Sequence, residues 1–291
     1  AQTGKKLWEI EVGDLLTNNW GNGPRSCPTV VDGQVYVLGG RGNLVCADPS
    51  DGKIKWSLNL VSDLGGKVPG WGYTESVLVD EGRVICTPGG KNGTLAALNA
   101  ETGKVLWRSR GFTDGAQYSS PIVIEHSGKR QYVQLVMKTL AGIQSDNGAV
   151  LWKSAWPGRT AVIPTPIHDD AHVYISSGYG TGCKLVKLRQ DGAEDVYDNK
   201  NMKNHHGGVI KLGGHLYGYS DGYGWVCQNF KSGELAWNEK KALGRGAIAY
   251  ADKRFYCQSE RDGAIVLIEA SPEGWKERGR FVLTPQTLLR K

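Results

Sequence analysis

A glycine-centred turn recurs seven times along this 291-residue chain, at Gly4, Gly52, Gly103, Gly148, Gly192, Gly233 and Gly274, at intervals of 41 to 51 residues. Five of these glycines have a tryptophan four residues later: Trp8, Trp56, Trp107, Trp152 and Trp237. The residues between them read as short alternating strands separated by Asp-Gly and Gly-rich pairs, the signature of hairpins. A period in the forties with this all-strand texture predicts an all-β β-propeller of four-stranded antiparallel blades.

The second copy shows how one blade is built. Ser26–Val31 reads as an inner strand, Asp32-Gly33 turns, and Gln34–Leu38 pairs back. After Gly39–Gly42 a third strand runs through Asn43–Asp48. Ser50–Lys53 turns again, and Ile54–Leu58 is the outer strand. Six complete four-stranded units follow from this register, at 24–61, 71–110, 117–156, 162–200, 205–240 and 244–283. A lone outer strand at 5–11 precedes them and a short basic tail, Thr284 to Lys291, follows. No break in composition divides the repeats, so residues 1–291 read as a single propeller domain. Ala1 to Trp8 has the form of a repeat's end, as in a chain cut within a propeller or a mature end that lends a strand to another blade.

Each tryptophan falls on an outer strand, where it can cover apolar surface on the neighbouring blade; burying such a ring contributes about 2–3 kcal/mol. Two copies break the pattern, with Val196 and Arg278 at the tryptophan position.

Several function classes are disfavoured at this level. The net charge is +6, but lysines and arginines are mixed with acidic residues and no run of five like charges occurs, which argues against a nucleic-acid surface. No apolar stretch is long enough to span a bilayer, and the chain opens with no signal-peptide pattern. The six cysteines (27, 46, 86, 183, 227 and 257) form no C-x-x-C and none are adjacent, so they read as buried small hydrophobes. Gly178–Lys184 lacks the spacing and the following helix of a phosphate loop, and no Gly-x-Ser-x-Gly elbow is present.

Candidate ligand-binding residues lie just before the inner strands, where successive blades crowd one end of a propeller channel. They are Arg25, Trp71, Tyr73, Glu75, Tyr118, His205, His206 and Arg245, with Trp20 and Gln117 beside them. Arg25 and Arg245 suit a small anionic ligand, because a guanidinium fork matches a carboxylate. Trp71 or Tyr73 suits a planar ring. Plainer roles stand beside these. Arg25 can bond neighbouring carbonyls, Trp71 and Tyr118 can be blade packing, and His205-His206 can be a tight lead-in to a strand. Adjacent residues on a strand face opposite ways, which argues against metal binding by that histidine pair.

The segment Ala97–Trp107, Ala-Leu-Asn-Ala-Glu-Thr-Gly-Lys-Val-Leu-Trp, resembles the tryptophan-docking motif of quinoprotein alcohol dehydrogenases, with Asn99 at the usual aspartate position. The resemblance covers essentially the whole chain. Asn204–Gly208, Gly222–Cys227 and Glu269–Gly274 look like the bacterial PQQ-like repeat proteins related to polyvinyl-alcohol dehydrogenases. That likeness implies a periplasmic or secreted location and seven or eight blades, against which this chain lacks about one unit's worth of strands at each end. For an active member it implies pyrroloquinoline quinone (PQQ) over an adjacent Cys-Cys pair, a Ca²⁺ held by Glu and Asn, and an Asp base. This chain has no adjacent cysteines, and no position matches the calcium ligands or the base. The same repeat also builds non-catalytic propellers, including the scaffold lipoprotein of outer-membrane assembly. Two expectations follow: a non-catalytic scaffold binding a small anionic ligand or a protein at the channel mouth, or a PQQ- and calcium-dependent alcohol dehydrogenase. The missing cysteine pair and calcium constellation favour the first.

Overall fold

A computed structural model of the chain describes residues 3–282. Strands hydrogen-bond in chain order within six four-stranded antiparallel sheets, each a simple meander. Blade 1 comprises β1 (Thr29–Val31), β2 (Gln34–Leu38), β3 (Asn43–Ala47) and β4 (Ile54–Asn59); blade 2, β5 (Leu78–Asp80), β6 (Arg83–Cys86), β7 (Ala96–Asn99) and β8 (Val105–Arg108). Blade 3 comprises β9 (Ile122–His126), β10 (Lys129–Leu135), β11 (Thr139–Gln144) and β12 (Val150–Ala155); blade 4, β13 (Ile167–Asp169), β14 (His172–Ser177), β15 (Gly182–Arg189) and β16 (Gly192–Asn199). Blade 5 comprises β17 (Val209–Leu212), β18 (His215–Ser220), β19 (Gly224–Asn229) and β20 (Leu235–Glu239); blade 6, β21 (Gly246–Ala251), β22 (Arg254–Ser259), β23 (Ala264–Glu269) and β24 (Glu277–Val282). The architecture is the expected β-propeller of four-stranded blades. The chain forms two compact units, one running through Lys153 and the other from Ser154 onward.

The first hairpin of blade 1 turns at Asp32 and Gly33, whose φ values of 50° and 68° place both in the left-handed region that a two-residue hairpin demands. The inner strand of that blade is shorter than expected, starting at Thr29 and not Ser26. Pro28 has no amide proton for a ladder, and the residues before it bond through side chains instead. Ser26 Oγ donates to the Leu38 carbonyl at 2.6 Å, and the Cys27 amide donates to Ser76 Oγ of the next blade at 3.0 Å. Ser76 N in turn donates to Ser120 Oγ of blade 3 at 2.9 Å.

Residues 5–11 are not a strand: no ladder partner lies beside them among the described residues. Trp8 nevertheless occupies the docking place, its indole Nε1 donating to the Pro49 carbonyl at 2.8 Å. The same arrangement repeats in Trp56 to Ala100 O, Trp107 to Ser145 O and Trp237 to Ser271 O. The basic tail from Thr284 lies outside the described residues.

The core of each unit lies between successive blades. Tyr36, Leu38, Trp56, Val84 and Leu98 share one cluster across blades 1 and 2. Tyr217, Trp225, Phe255 and Val266 share another across blades 5 and 6. All six cysteines are free thiols; only Cys27 is exposed, and the other five are buried as the sequence suggests.

Candidate functional site

In the first unit the expected ligand residues mostly turn inward. Tyr73 is buried, its hydroxyl donating to the Pro88 carbonyl at 3.1 Å, and desolvation pushes its phenol well above the ordinary value. Trp71 and Tyr118 meet edge to face with centroids 5.7 Å apart, and the Trp71 amide reaches the Tyr118 hydroxyl at 3.4 Å. They are packing partners across the lead-ins to blades 2 and 3. Arg25 is half-buried, and its Nη2 donates to the Gly21 carbonyl at 2.9 Å, bracing its own loop. Trp20 extends from that loop, 82% exposed.

Glu75 is the carboxylate that the sequence places near the channel, and it is only 1% exposed. Its Oε1 accepts from the Thr87 amide at 2.6 Å. Thr87 Oγ1 accepts from Gln134 Nε2 at 3.0 Å, and the same amide group donates to the Ser119 carbonyl at 3.0 Å. Glu75 Oε2 and Gln134 Oε1 are left with no donor among the described residues. Burial pushes the carboxyl up to about 7, against the opposing bonds from Thr87. A carboxyl in such surroundings holds its proton to higher pH than an ordinary glutamate does.

The second unit gathers the other three predicted residues into one network. His205 and His206 lie on the lead-in to β17, and Arg245 on the lead-in to β21. Arg245 grips Glu260 Oε1 with Nε at 2.7 Å and Nη2 at 2.6 Å. His206 Nε2 lies 2.6 Å from Glu260 Oε2. Arg245 Nη1 approaches His205 Nδ1 at 3.4 Å, and the same nitrogen of His205 lies 3.5 Å from Asp221 Oδ2. Tyr179, from the turn between β14 and β15, leans on the His205 ring with centroids 4.1 Å apart. Burial and then the His206 charge lower the His205 pKa. Burial alone would raise Glu260, but its bonds to Arg245 and His206 outweigh that and hold it below the usual glutamate value.

Tyr179, Asp221 and Glu260 escaped the sequence reading. All three sit in turns between the second and third strands of their blades. In a meander those turns share an end with the lead-in to the inner strand, so the topology carried a usable signal.

Among the described residues no group of three or more His, Cys, Asp or Glu side chains is placed to hold a metal ion. A calcium-bound quinone needs a carboxylate ready to meet a cation. Glu75 is buried among Thr87, Gln134 and Tyr73 and belongs to no such group, so the residues around it do not fit that demand. The histidine–arginine network is already occupied with its own charges.

Fold and site together define a propeller of tryptophan-docked, PQQ-type repeats. The chain belongs to the PQQ_2 family, described as outer membrane protein assembly factor BamB, which it matches over residues 1–266. It is 24% identical over 243 residues to outer membrane protein assembly factor BamB of Yersinia pestis, covering 78% of this chain and 54% of that protein. It is 27% identical over 205 residues to the dehydrogenase subunit of a quinone alcohol dehydrogenase from Gluconacetobacter polyoxogenes, covering 67% of this chain and 26% of that protein. The chain therefore spans about half of the first relative and a quarter of the second. The crystal structure of BamB from Moraxella catarrhalis shares the fold, with a TM-score of 0.69 at 16% identity over 94% of this chain and 76% of that one. The relatives thus include both an assembly factor and a quinone enzyme.

Proposed function

We propose that this chain is a non-catalytic, extracytoplasmic protein-binding scaffold. The observation that carries the proposal is the self-neutralised network of the second unit. Arg245, His205 and His206 lie together, but Glu260 and Asp221 already neutralise them. An arginine whose Nε and Nη2 both donate to one carboxylate oxygen of its own chain has little left for a small anionic ligand. What remains is a charged rim with aromatic side chains, Tyr179, Tyr219 and Tyr223, which suits contact with another protein. The likeness to an outer membrane protein assembly factor supports this reading and a periplasmic or secreted location. No helix of the described residues is long and apolar enough to cross a membrane.

The quinone alcohol dehydrogenase relative motivates the alternative, a PQQ- and calcium-dependent dehydrogenase of the polyvinyl-alcohol type. Calorimetric titration with PQQ, with and without Ca²⁺, separates the two. The scaffold reading expects no saturable heat from folded protein. Calcium-dependent saturable binding overturns it and calls for an alcohol screen with an artificial electron acceptor.

A further inference from the structure

Tyr223 lies in the turn between β18 and β19. It is held there by its amide, which donates to the Ser220 carbonyl at 3.0 Å, and by Asn238 Nδ2, which donates to the Tyr223 carbonyl at 3.1 Å. Two ammonium groups sit over its ring, Lys203 Nζ at 4.9 Å and Lys240 Nζ at 5.7 Å from the centroid. Neither ammonium has a carboxylate within 4.0 Å among the described residues, and the Tyr223 hydroxyl has no hydrogen-bond partner there. The nearby acids are committed elsewhere. Asp221 faces His205 and Arg245, and Glu239 Oε1 accepts from the backbone amides of Lys241 and Ala242.

The same unit contains an internal comparison. Phe230 also carries two lysines over its ring, Lys211 at 5.2 Å and Lys231 at 5.5 Å. There, however, Lys211 pairs with Asp169 at 3.1 Å and Lys231 donates to His172 Nδ1 at 2.9 Å. Cation–π attraction gathers lysines at both rings, but only at Tyr223 do the charges remain without an acceptor.

We infer that Tyr223, Lys203 and Lys240 form a receiving surface for an acidic segment of a partner protein. The carboxylates of an acidic segment running beside the ring would pair with the ammonium groups and bring an acceptor to the phenol hydroxyl. Complementary charge of this kind sets partner choice and association rate. The inference rests on the scaffold reading above and adds the chemistry of the partner.

The test is a fluorescence-anisotropy titration with a fluorescein-labelled decaglutamate at low and at physiological ionic strength. The wild-type protein should bind saturably and more weakly as salt rises. Replacing both Lys203→Gln and Lys240→Gln should weaken binding roughly tenfold, and Tyr223→Phe a few-fold. The paired control Lys211→Gln with Lys231→Gln should leave affinity unchanged. Unaltered affinity in the Lys203/Lys240 variant, or an equal loss in the control, overturns the inference. So does tighter binding of phosphatidylglycerol-containing vesicles than of the peptide through the same two lysines, which would make the surface a lipid contact. The PQQ titration bears on the scaffold reading alone, so failure here and failure there can be told apart.

Discussion

The Tyr197 ring packs against Gly233, so close that a methyl group on the glycine would meet ring carbon Cδ2 at 2.9 Å, beside Asn199 Nδ2 at 2.6 Å. Trp56 stands in the same relation to Gly103, and Trp107 to Gly148, each with a 2.7 Å approach to Cε3. Tyr197 also copies the docking hydrogen bond, its hydroxyl donating to the Phe230 carbonyl at 3.0 Å. This explains the fifth repeat. Blade 4 joins its last two strands by a two-residue hairpin at Gln190-Asp191, and the docking residue falls five positions after Gly192 instead of four. A bulge beside Leu185 and Val186 then skips Val196 and pairs Leu185 with Tyr197, just as Cys46 pairs with Trp56 in blade 1. In blade 6 the equivalent bulge skips Arg278 and brings Gly279 to that place.

Tyr197→Phe should therefore cost about 1 kcal/mol, the worth of one hydrogen bond. Tyr197→Ala should cost about 3 kcal/mol through lost packing. Urea unfolding followed by far-ultraviolet circular dichroism measures both. An alanine variant within about 0.5 kcal/mol of wild type would show that the ring is not a docking element.

Gly103→Ala should destabilise by at least about 2 kcal/mol. The residue has a φ of 69°, and the new methyl would press on the Trp56 ring. Pairing it with Trp56→Ala should recover part of that loss, because the obstructing ring is gone. Additive losses in the double mutant would contradict the contact.

Glu75 ties stability to pH. Its folded-state value of about 7 lies above the ordinary 4.5, so the folded chain holds a proton that the unfolded chain releases. The stabilisation is complete below about pH 4.5 and is lost as pH rises through about 7, by roughly 3 kcal/mol in all. Glu75→Gln keeps the shape without the ionisation. The loss of stability between pH 5 and 8 should shrink in that variant, measured by urea midpoints at both values. An unchanged pH slope would remove Glu75 as its cause.

His205 should titrate below the ordinary histidine value, because burial and the neighbouring His206 disfavour its charge. A depressed value means that stability is present above the unfolded-state pKa and falls as the solution is acidified through the folded one. Ring-proton NMR would follow the titration. Tyr179→Ala uncovers the ring and should move its pKa back toward 6.5. No movement would place the cause outside the tyrosine contact.

Much of the fold was legible because its signals are local. Gln34–Leu38 and Arg83–Cys86 are strands with the expected bounds, since Asp-Gly pairs and alternation act within a few residues. The segment 5–11 failed as a strand for the opposite reason: a strand is defined by a partner that the segment itself cannot supply. Tyr197 was hidden because a one-residue change in a turn leaves the repeat visible but shifts its register. In the site, His205, His206 and Arg245 stood out as polar residues before inner strands. Their partners did not, since His206 and Glu260 are 54 residues apart and meet only when blades 5 and 6 stack.

The amino-acid sequence by itself determined the blade count of the described chain, the order of strands within each blade and the docking role of Trp8, Trp56, Trp107 and Trp237; Trp152 instead bonds to Gln131 of its own blade. These follow from turn chemistry and period, which short stretches of chain express wherever they are placed. Only the tertiary structure decided that Arg245 is spent on Glu260, that Glu75 is a buried acid, and that Lys203 and Lys240 remain unneutralised over Tyr223. Those outcomes depend on distances across blades and on the water each group loses, and neither is a property of any short stretch of sequence.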